Sequence, residues 1–268
     1  MDNRQSTTNK TALVTGASSG IGYELTKLFA RDGYNLVLVA RNEERLNQLK
    51  TEFEKRRGVS VKVLPKDLSD PNAPEEIYDE LKRDGIQVDV LVNNAGYAML
   101  DPFLKTDKQD ELNMLQVNVV ALTHMTKLFL PGMAERGSGR VLNIASTAAF
   151  MPGPLMAVYY ATKAYVLSFT EAVAEEMRGT GVTLTALCPG PTRSGFQKRA
   201  NMETSRLIVG RSIMDAPTVA NAGYKALMRG KSLEIPGIRN KLIVLAAKLS
   251  PRSAIPGVVK RSQERAEG

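Results

Sequence analysis

Ala12-Leu-Val-Thr-Gly-Ala-Ser-Ser-Gly-Ile-Gly22 reads as a short apolar strand, a glycine-rich turn and the start of a helix, since 21–31 keeps helical apolar spacing. A phosphate-binding turn needs that context. Glycine lets the backbone approach a pyrophosphate, and the following helix offers unpaired N–H groups with a partial positive charge. Gly16, Gly20 and Gly22 follow a G-x-x-x-G-x-G spacing rather than the commoner G-x-G-x-x-G. No Gly-Lys-Ser/Thr comes after them, which excludes a P-loop.

The same alternation repeats downstream. Strands are expected at Asn35–Ala40, 59–64, 88–92, 140–145 and 182–187, separated by helices at 42–56, 74–82, 109–134 and 159–177. The strand runs are continuously apolar instead of alternating, the pattern of a parallel sheet covered by helices on both faces. The order predicts an α/β, Rossmann-like, doubly wound fold in a single domain over 1–268, with 1–9 as a flexible polar tail.

A length of 268 residues suits one large α/β domain, and 43% hydrophobic with 24% charged residues is ordinary for a globular chain. Cys188 stands alone, so no intramolecular disulfide forms, which fits a reducing compartment. His124 is the sole histidine and has no partner for a metal. The polar start lacks the apolar stretch of a signal peptide, and no run of roughly 18 apolar residues appears, so a soluble cytoplasmic protein is expected. The net charge is +8. Residues 231–268 carry eight basic and three acidic residues around an apolar run, Leu242 to Leu249. That basic C-terminal segment, 235–268, reads as a solvated helix, or as a contact for anionic lipid or an acidic acyl carrier. Nucleic acid is not expected, because no binding motif accompanies the charge.

Chemistry gathers around Tyr159 and Lys163, one helical turn apart, with Ser146 thirteen residues upstream. A free phenol has a pKa of about 10, and a neighbouring ammonium is expected to lower it. Tyr159 is then a proton donor for a carbonyl oxygen, with Ser146 polarising that oxygen. Asn118, mid-helix, is expected to help hold a water linking Lys163 to solvent. Tyr160 and Tyr165 lack a lysine four residues on and read as packing. At the end of the second strand, where Asp or Glu would hold a ribose diol, the chain has Arg41. Its planar fork suits a 2′-phosphate, which favours NADP(H) over NAD.

Thr15 to Gly22, Asn93-Asn-Ala-Gly96, Asn118, Ser146, Tyr159-x-x-x-Lys163 and Pro189-Gly190 together resemble the short-chain dehydrogenase/reductase family, in its compact NADP-preferring branch. The resemblance implies a parallel sheet of about seven strands. It also implies cofactor contacts from Gly16, Ser18, Ser19, Gly20, Ile21, Gly22, Asp67, Leu68, Asn94, Ala95, Gly96, Tyr159, Lys163, Pro189, Gly190 and Thr192, with Lys163 on the nicotinamide ribose. Assembly as a homo-dimer or homo-tetramer through helices 109–134 and 159–177 is implied as well. Residues 191–214, after Pro189-Gly190, are expected to form a substrate flap carrying Phe196, Met202, Leu207, Ile208 and Met214 beside Arg193, Lys198, Arg199, Arg206 and Arg211. With Met99, Leu100, Phe103, Phe150, Met151, Pro154, Leu155 and Met156 they describe an apolar pocket with a basic mouth. The expected activity is carbonyl–alcohol interconversion on an acyl, sterol-like or aromatic ketone, including a 3-oxoacyl thioester. The alternatives are an NADPH-binding sensor and a membrane- or carrier-docking protein with little turnover.

Overall fold

All five residues of β1 (Thr11–Thr15) are buried, as a strand flanked by helices on both faces requires. In the computed structural model, which describes residues 9–200, 202, 205 and 213–264, β1 is an interior strand of a seven-stranded sheet. The chain continues through α1 (Gly20–Arg31), β2 (Asn35–Ala40), α2 (Glu43–Arg57), β3 (Val61–Pro65), α3 (Ala73–Arg83) and β4 (Val90–Asn93). After α4 (Lys108–Leu115) and α5 (Leu122–Glu135) come β5 (Gly139–Ile144), α6 (Ala157–Glu176) and β6 (Val182–Leu187). The remainder is β7 (Thr192–Arg193), α7 (Phe196–Arg199), β8 (Met214–Asp215), α8 (Ala216–Met228), β9 (Leu233–Glu234), α9 (Ile238–Leu249) and α10 (Ile255–Gln263).

Strand order is β3-β2-β1-β4-β5-β6-β9 and every pairing is parallel. The order reverses between β1 and β4, so the crevice beyond their C-terminal ends is where an open α/β sheet takes a ligand. On one face α1, α2 and α8 bury Leu25, Phe29, Leu46, Phe53, Val219 and Leu227. On the other, α3 and α5 bury Ile77, Leu81, Met125, Phe129 and Met133. A buried polar ladder fixes the sheet's middle. Asn93 Nδ2 donates to Asn143 Oδ1 at 2.9 Å and to Thr126 at 3.1 Å, while Asn143 Nδ2 donates to Thr170 at 2.9 Å.

Two features depart from the sequence reading, and a third supplies the seventh strand that the family resemblance implied without placing it. The helix expected over 109–134 is interrupted by a π-helical turn, Gln116–Ala121, between α4 and α5. A seventh strand, β9, has two residues, too few to show any period. The flap ends are joined by a two-residue parallel pair, Thr192↔Met214 and Arg193↔Asp215. Of the expected tail 1–9 only Asn9 is described. Within the flap, Arg206, Leu207, Ile208, Arg211 and the side chains of Lys198 and Arg199 lie outside the described residues.

Candidate active site

Turning from β1 into α1 needs left-handed backbone at Gly16 (φ +65°) and Gly20 (φ +57°), which glycine adopts without Cβ strain. The start of α1 is left open. Its N-cap Ser19 makes no side-chain capping bond, and no acid occupies the first turn, so both N–H groups and dipole face outward. Thr15 and Asn94 fasten this turn to the end of β4. Thr15 Oγ1 accepts from the N–H groups of Asn94 (2.9 Å) and Ala95 (3.0 Å), and Asn94 Nδ2 donates back to the Thr15 carbonyl at 2.9 Å. Gly22 is different from its neighbours: a Cβ there would meet Asn94 Nδ2 and the Gly16 carbonyl, each at 2.4 Å. It serves close helix–strand packing and does not line the crevice.

The crevice is one continuous cavity of about 1280 Å³. Gly16, Ser18, Ser19, Gly20, Ile21, Arg41, Asp67, Leu68, Asn94, Ala95, Gly96, Ser146, Tyr159, Lys163, Pro189, Gly190 and Thr192 line it. At one end Arg41 stands 3.7 Å from Asp67, with Arg45 and Lys66 also in the wall. Arg45 went unnoticed in the sequence. A cation in the first turn of α2, where the dipole disfavours it, was the available signal. The glycine cradle, the open α1 terminus and the arginine-lined end match a dinucleotide with an extra phosphate.

At the other end, Ser146 follows β5. Its hydroxyl accepts from Ala148 N at 3.1 Å and donates to the Pro189 carbonyl at 3.3 Å, which ties it to the loop after β6. The Tyr159 hydroxyl faces Ser146, whose side chain acts to lower its pKa. Lys163 Nζ donates to the Ile144 carbonyl at 2.8 Å and lies 5.7 Å from the centre of the Tyr159 ring. The expected acid phenol is not what this geometry gives. Burial pushes Tyr159 up to about 12, against the opposing pull of the Ser146 side chain, and burial pushes Lys163 down to about 8. Taking both groups out of water disfavours both charged forms, and an ammonium bonded to Ile144 does not overcome that.

Asn118 sits in the π-helical turn and is 1% exposed. Its side-chain oxygen accepts from Tyr97 N at 3.1 Å, and its amide donates to Tyr97 O at 3.0 Å and Thr162 at 3.2 Å. These bonds clamp the loop after β4 to α6, and Asn118 does not line the cavity. π-Turns inserted into α-helices concentrate at functional sites.

Between the Ser146–Tyr159 pair and solvent lies an apolar chamber walled by Met151, Met156, Phe196 and Met202. Phe103, expected there, is 64% exposed and is not part of the cavity wall. Phe150 instead packs beneath Lys248, whose ammonium is 5.1 Å from the ring centre. Leu155 holds a positive φ of 69°, rare for a branched residue, and its carbonyl accepts from Asp101 N. The roof comes from the C-terminal segment, which the sequence marked as basic and partly apolar but not as part of the site. Val258, Val259 and Ser262 of α10 line the cavity, and buried Gln263 donates through Nε2 to the Tyr160 hydroxyl at 2.6 Å. Tyr160 thus anchors the roof in addition to packing.

His124 pairs with Glu75 at 3.0 Å across α5 and α3, and the described residues hold no metal-binding cluster. Cys188 is buried and pushed up to about 12 by burial, which leaves it inert. No described helix is long and apolar enough to cross a membrane.

Residues 10–205 match the short chain dehydrogenase family. The chain therefore belongs to that family, oxidoreductases that work with a nicotinamide cofactor. It is 35% identical over 184 residues to a human very-long-chain 3-oxoacyl-CoA reductase, a match that covers 66% of this chain and 58% of that protein's length. It is 31% identical to a ketoacyl reductase of a Nostoc species, covering 97% of this chain and 93% of the relative. Among solved structures, a short-chain dehydrogenase from Sphingobium yanoikuyae in complex with NADPH superposes with a TM-score of 0.81 at 30% identity, over 89% of this chain and 93% of that one.

Proposed function

We propose that this protein is an NADP(H)-dependent reductase of a carbonyl group on a large apolar substrate, with a 3-oxoacyl thioester as the favoured class. The observation that carries this reading is the convergence of the Tyr159 and Ser146 hydroxyls at the junction of a dinucleotide-shaped crevice and an apolar chamber. The two ketoacyl-type relatives support the substrate class.

When bound, NADPH supplies a hydride to the carbonyl carbon. The glycine turn and the open start of α1 would hold its pyrophosphate, and Arg41 with Arg45 its 2′-phosphate. As the carbonyl oxygen gains charge, Ser146 would stabilise it by hydrogen bonding and Tyr159 would deliver the proton. A phenol with a pKa of about 12 is fully protonated at neutral pH, the form that reduction consumes. Below about pH 8 Lys163 is charged and would stabilise the phenolate left behind. The methionines of the chamber adapt to acyl chains of differing shape.

The test replaces Tyr159 by Phe and follows NADPH consumption with 3-oxoacyl thioesters, bulky ketones and quinones. Reduction should drop by about 10²–10⁴-fold, the share of general acid catalysis, with NADPH affinity retained. Undiminished turnover would remove Tyr159 from the mechanism. NADPH binding without turnover of any of these carbonyls by the parent protein would favour a sensor.

A further inference from the structure

We propose that α9 and α10 form a docking face for an anionic lipid bilayer, so that the protein rests on a membrane with its substrate chamber against the lipid.

At 3.6 residues per turn, Ile238, Leu242, Leu245 and Leu249 fall within an arc of about 60° on α9. They are 77%, 60%, 52% and 78% exposed. The opposite side of the same helix does the packing: Val244 is 3% exposed, and Asn240 and Ile243 line the cavity. A surface helix ordinarily turns its polar side outward. Here the protein's own packing leaves a second apolar stripe uncovered, and Val258 of α10, at the rim of the cavity, is 68% exposed as well.

Charge says what covers the stripe. Residues 235–263 contain six cations, Arg239, Lys241, Lys248, Arg252, Lys260 and Arg261, and no Asp or Glu. All six are exposed, and none forms an ion pair among the described residues. On α9 they flank the stripe, with Arg239 on one side and Lys241 and Lys248 on the other. Aliphatic residues at the centre with cations at the rim suit the boundary between acyl chains and anionic headgroups, the long basic stems reaching up to phosphate. A second copy of the chain is a poor partner, since it would bring six more cations against these six. An acidic carrier protein would meet the cations and leave the stripe against polar surface.

The membrane helices would also be walls of the chamber, because Asn240, Ile243, Val258 and Val259 line the cavity from within. An apolar substrate held in the bilayer then has a short path inward. The docking claim itself stands independently of the reaction assigned above.

Flotation of the full chain with vesicles tests it, using phosphatidylcholine alone or mixed in equal parts with phosphatidylglycerol. Recovery with the mixed vesicles should exceed that with phosphatidylcholine by at least about tenfold and fall in high salt. The variant Leu242→Gln/Leu249→Gln, altered only at exposed positions, should keep the circular dichroism and melting temperature of the parent and lose vesicle recovery. Equal recovery on both vesicle types overturns the proposal, as does undiminished recovery of the double variant. Light scattering that shows a dimer dissolved by the double variant, without vesicle binding, overturns it in favour of self-association. Retention of an acidic acyl carrier that the double variant loses, again without vesicle binding, overturns it in favour of a carrier.

Discussion

Lys163 is 5% exposed, and among the described residues its ammonium has one hydrogen-bond acceptor, the Ile144 carbonyl. Its pKa falls from 10.5 to about 8 because burial disfavours the charge. Below pH 8 the folded and unfolded chains both hold the proton, and the full destabilisation is present. Between about 8 and 10.5 the unfolded chain keeps a proton that the folded chain has shed, so stability rises with pH across that window. Lys163→Met, similar in volume and uncharged, should therefore stabilise the fold at pH 7 by about 2–3 kcal/mol. The advantage should shrink from pH 8 to 10.5, as denaturant titrations at several pH values will show. A variant no more stable than the parent at pH 7 would contradict the burial argument. The same residue sets a rate profile. Reduction should be level up to about pH 8 and decline above it, as the lysine loses the charge that supports the tyrosinate. Alcohol oxidation, which needs Tyr159 deprotonated, should keep rising with pH. In the residual activity of Lys163→Met the limb near pH 8 should vanish, an effect that a merely structural role would not produce.

Elements meet at the site through a few close approaches, and the glycines record them. A Cβ on Gly22 would lie 2.4 Å from both Asn94 Nδ2 and the Gly16 carbonyl. The atoms in the way are backbone and a side chain already committed to the Thr15 carbonyl, so neither gives easily. Gly22→Ala should lower stability by about 1–3 kcal/mol, the usual result of overpacking, and weaken NADPH binding because α1 is displaced from the cradle. Equilibrium unfolding and a fluorescence titration with NADPH check both, and unchanged affinity would mean the cradle tolerates the shift. At this scale the sequence was readable where elements are long and buried. β1 and β2 announce themselves as apolar runs because both of their faces are covered, and β5 and β6 remain readable from their aliphatic residues, with few charges among them. β9 and the β7–β8 pair were invisible, since two residues carry no period and their pairing depends on tertiary position. The π-turn was hidden for another reason: one extra residue per turn changes hydrogen bonding without changing which side chains are apolar. Asn118 could be singled out by motif, but its bonds to Tyr97 and Thr162 could not.

Across the whole molecule, the last helix returns over the apolar chamber, and buried hydrogen bonds at Gln263, to Tyr160 and from Ser205, hold it there. Gln263 is fully buried, its Nε2 donates to the Tyr160 hydroxyl, and its Oε1 has no partner among the described residues. Charge dominates the composition of the C-terminal segment, so a sequence reading sees a basic tail; a single buried glutamine on α10 is too sparse a signal to reveal a roof. Tyr160 was likewise read as packing because no lysine follows it in register. Removing its hydroxyl tests the larger arrangement. Tyr160→Phe keeps the ring, which packs against Gly153, and takes from the buried Gln263 amide the acceptor its Nε2 donates to. The loss should destabilise the contact by about 1–3 kcal/mol. Because Tyr159 and the cradle are untouched, NADPH affinity and the kcat for a small ketone should hold. KM for a long acyl or bulky ketone should rise severalfold, since α10 no longer stays seated over Met202 and Met156. Steady-state kinetics with a short and a long substrate separate the outcomes. A uniform fall in kcat for both would place Tyr160 in the proton chemistry instead, and no change in either would show that the roof is held by its aliphatic contacts, Val259 foremost, without the glutamine.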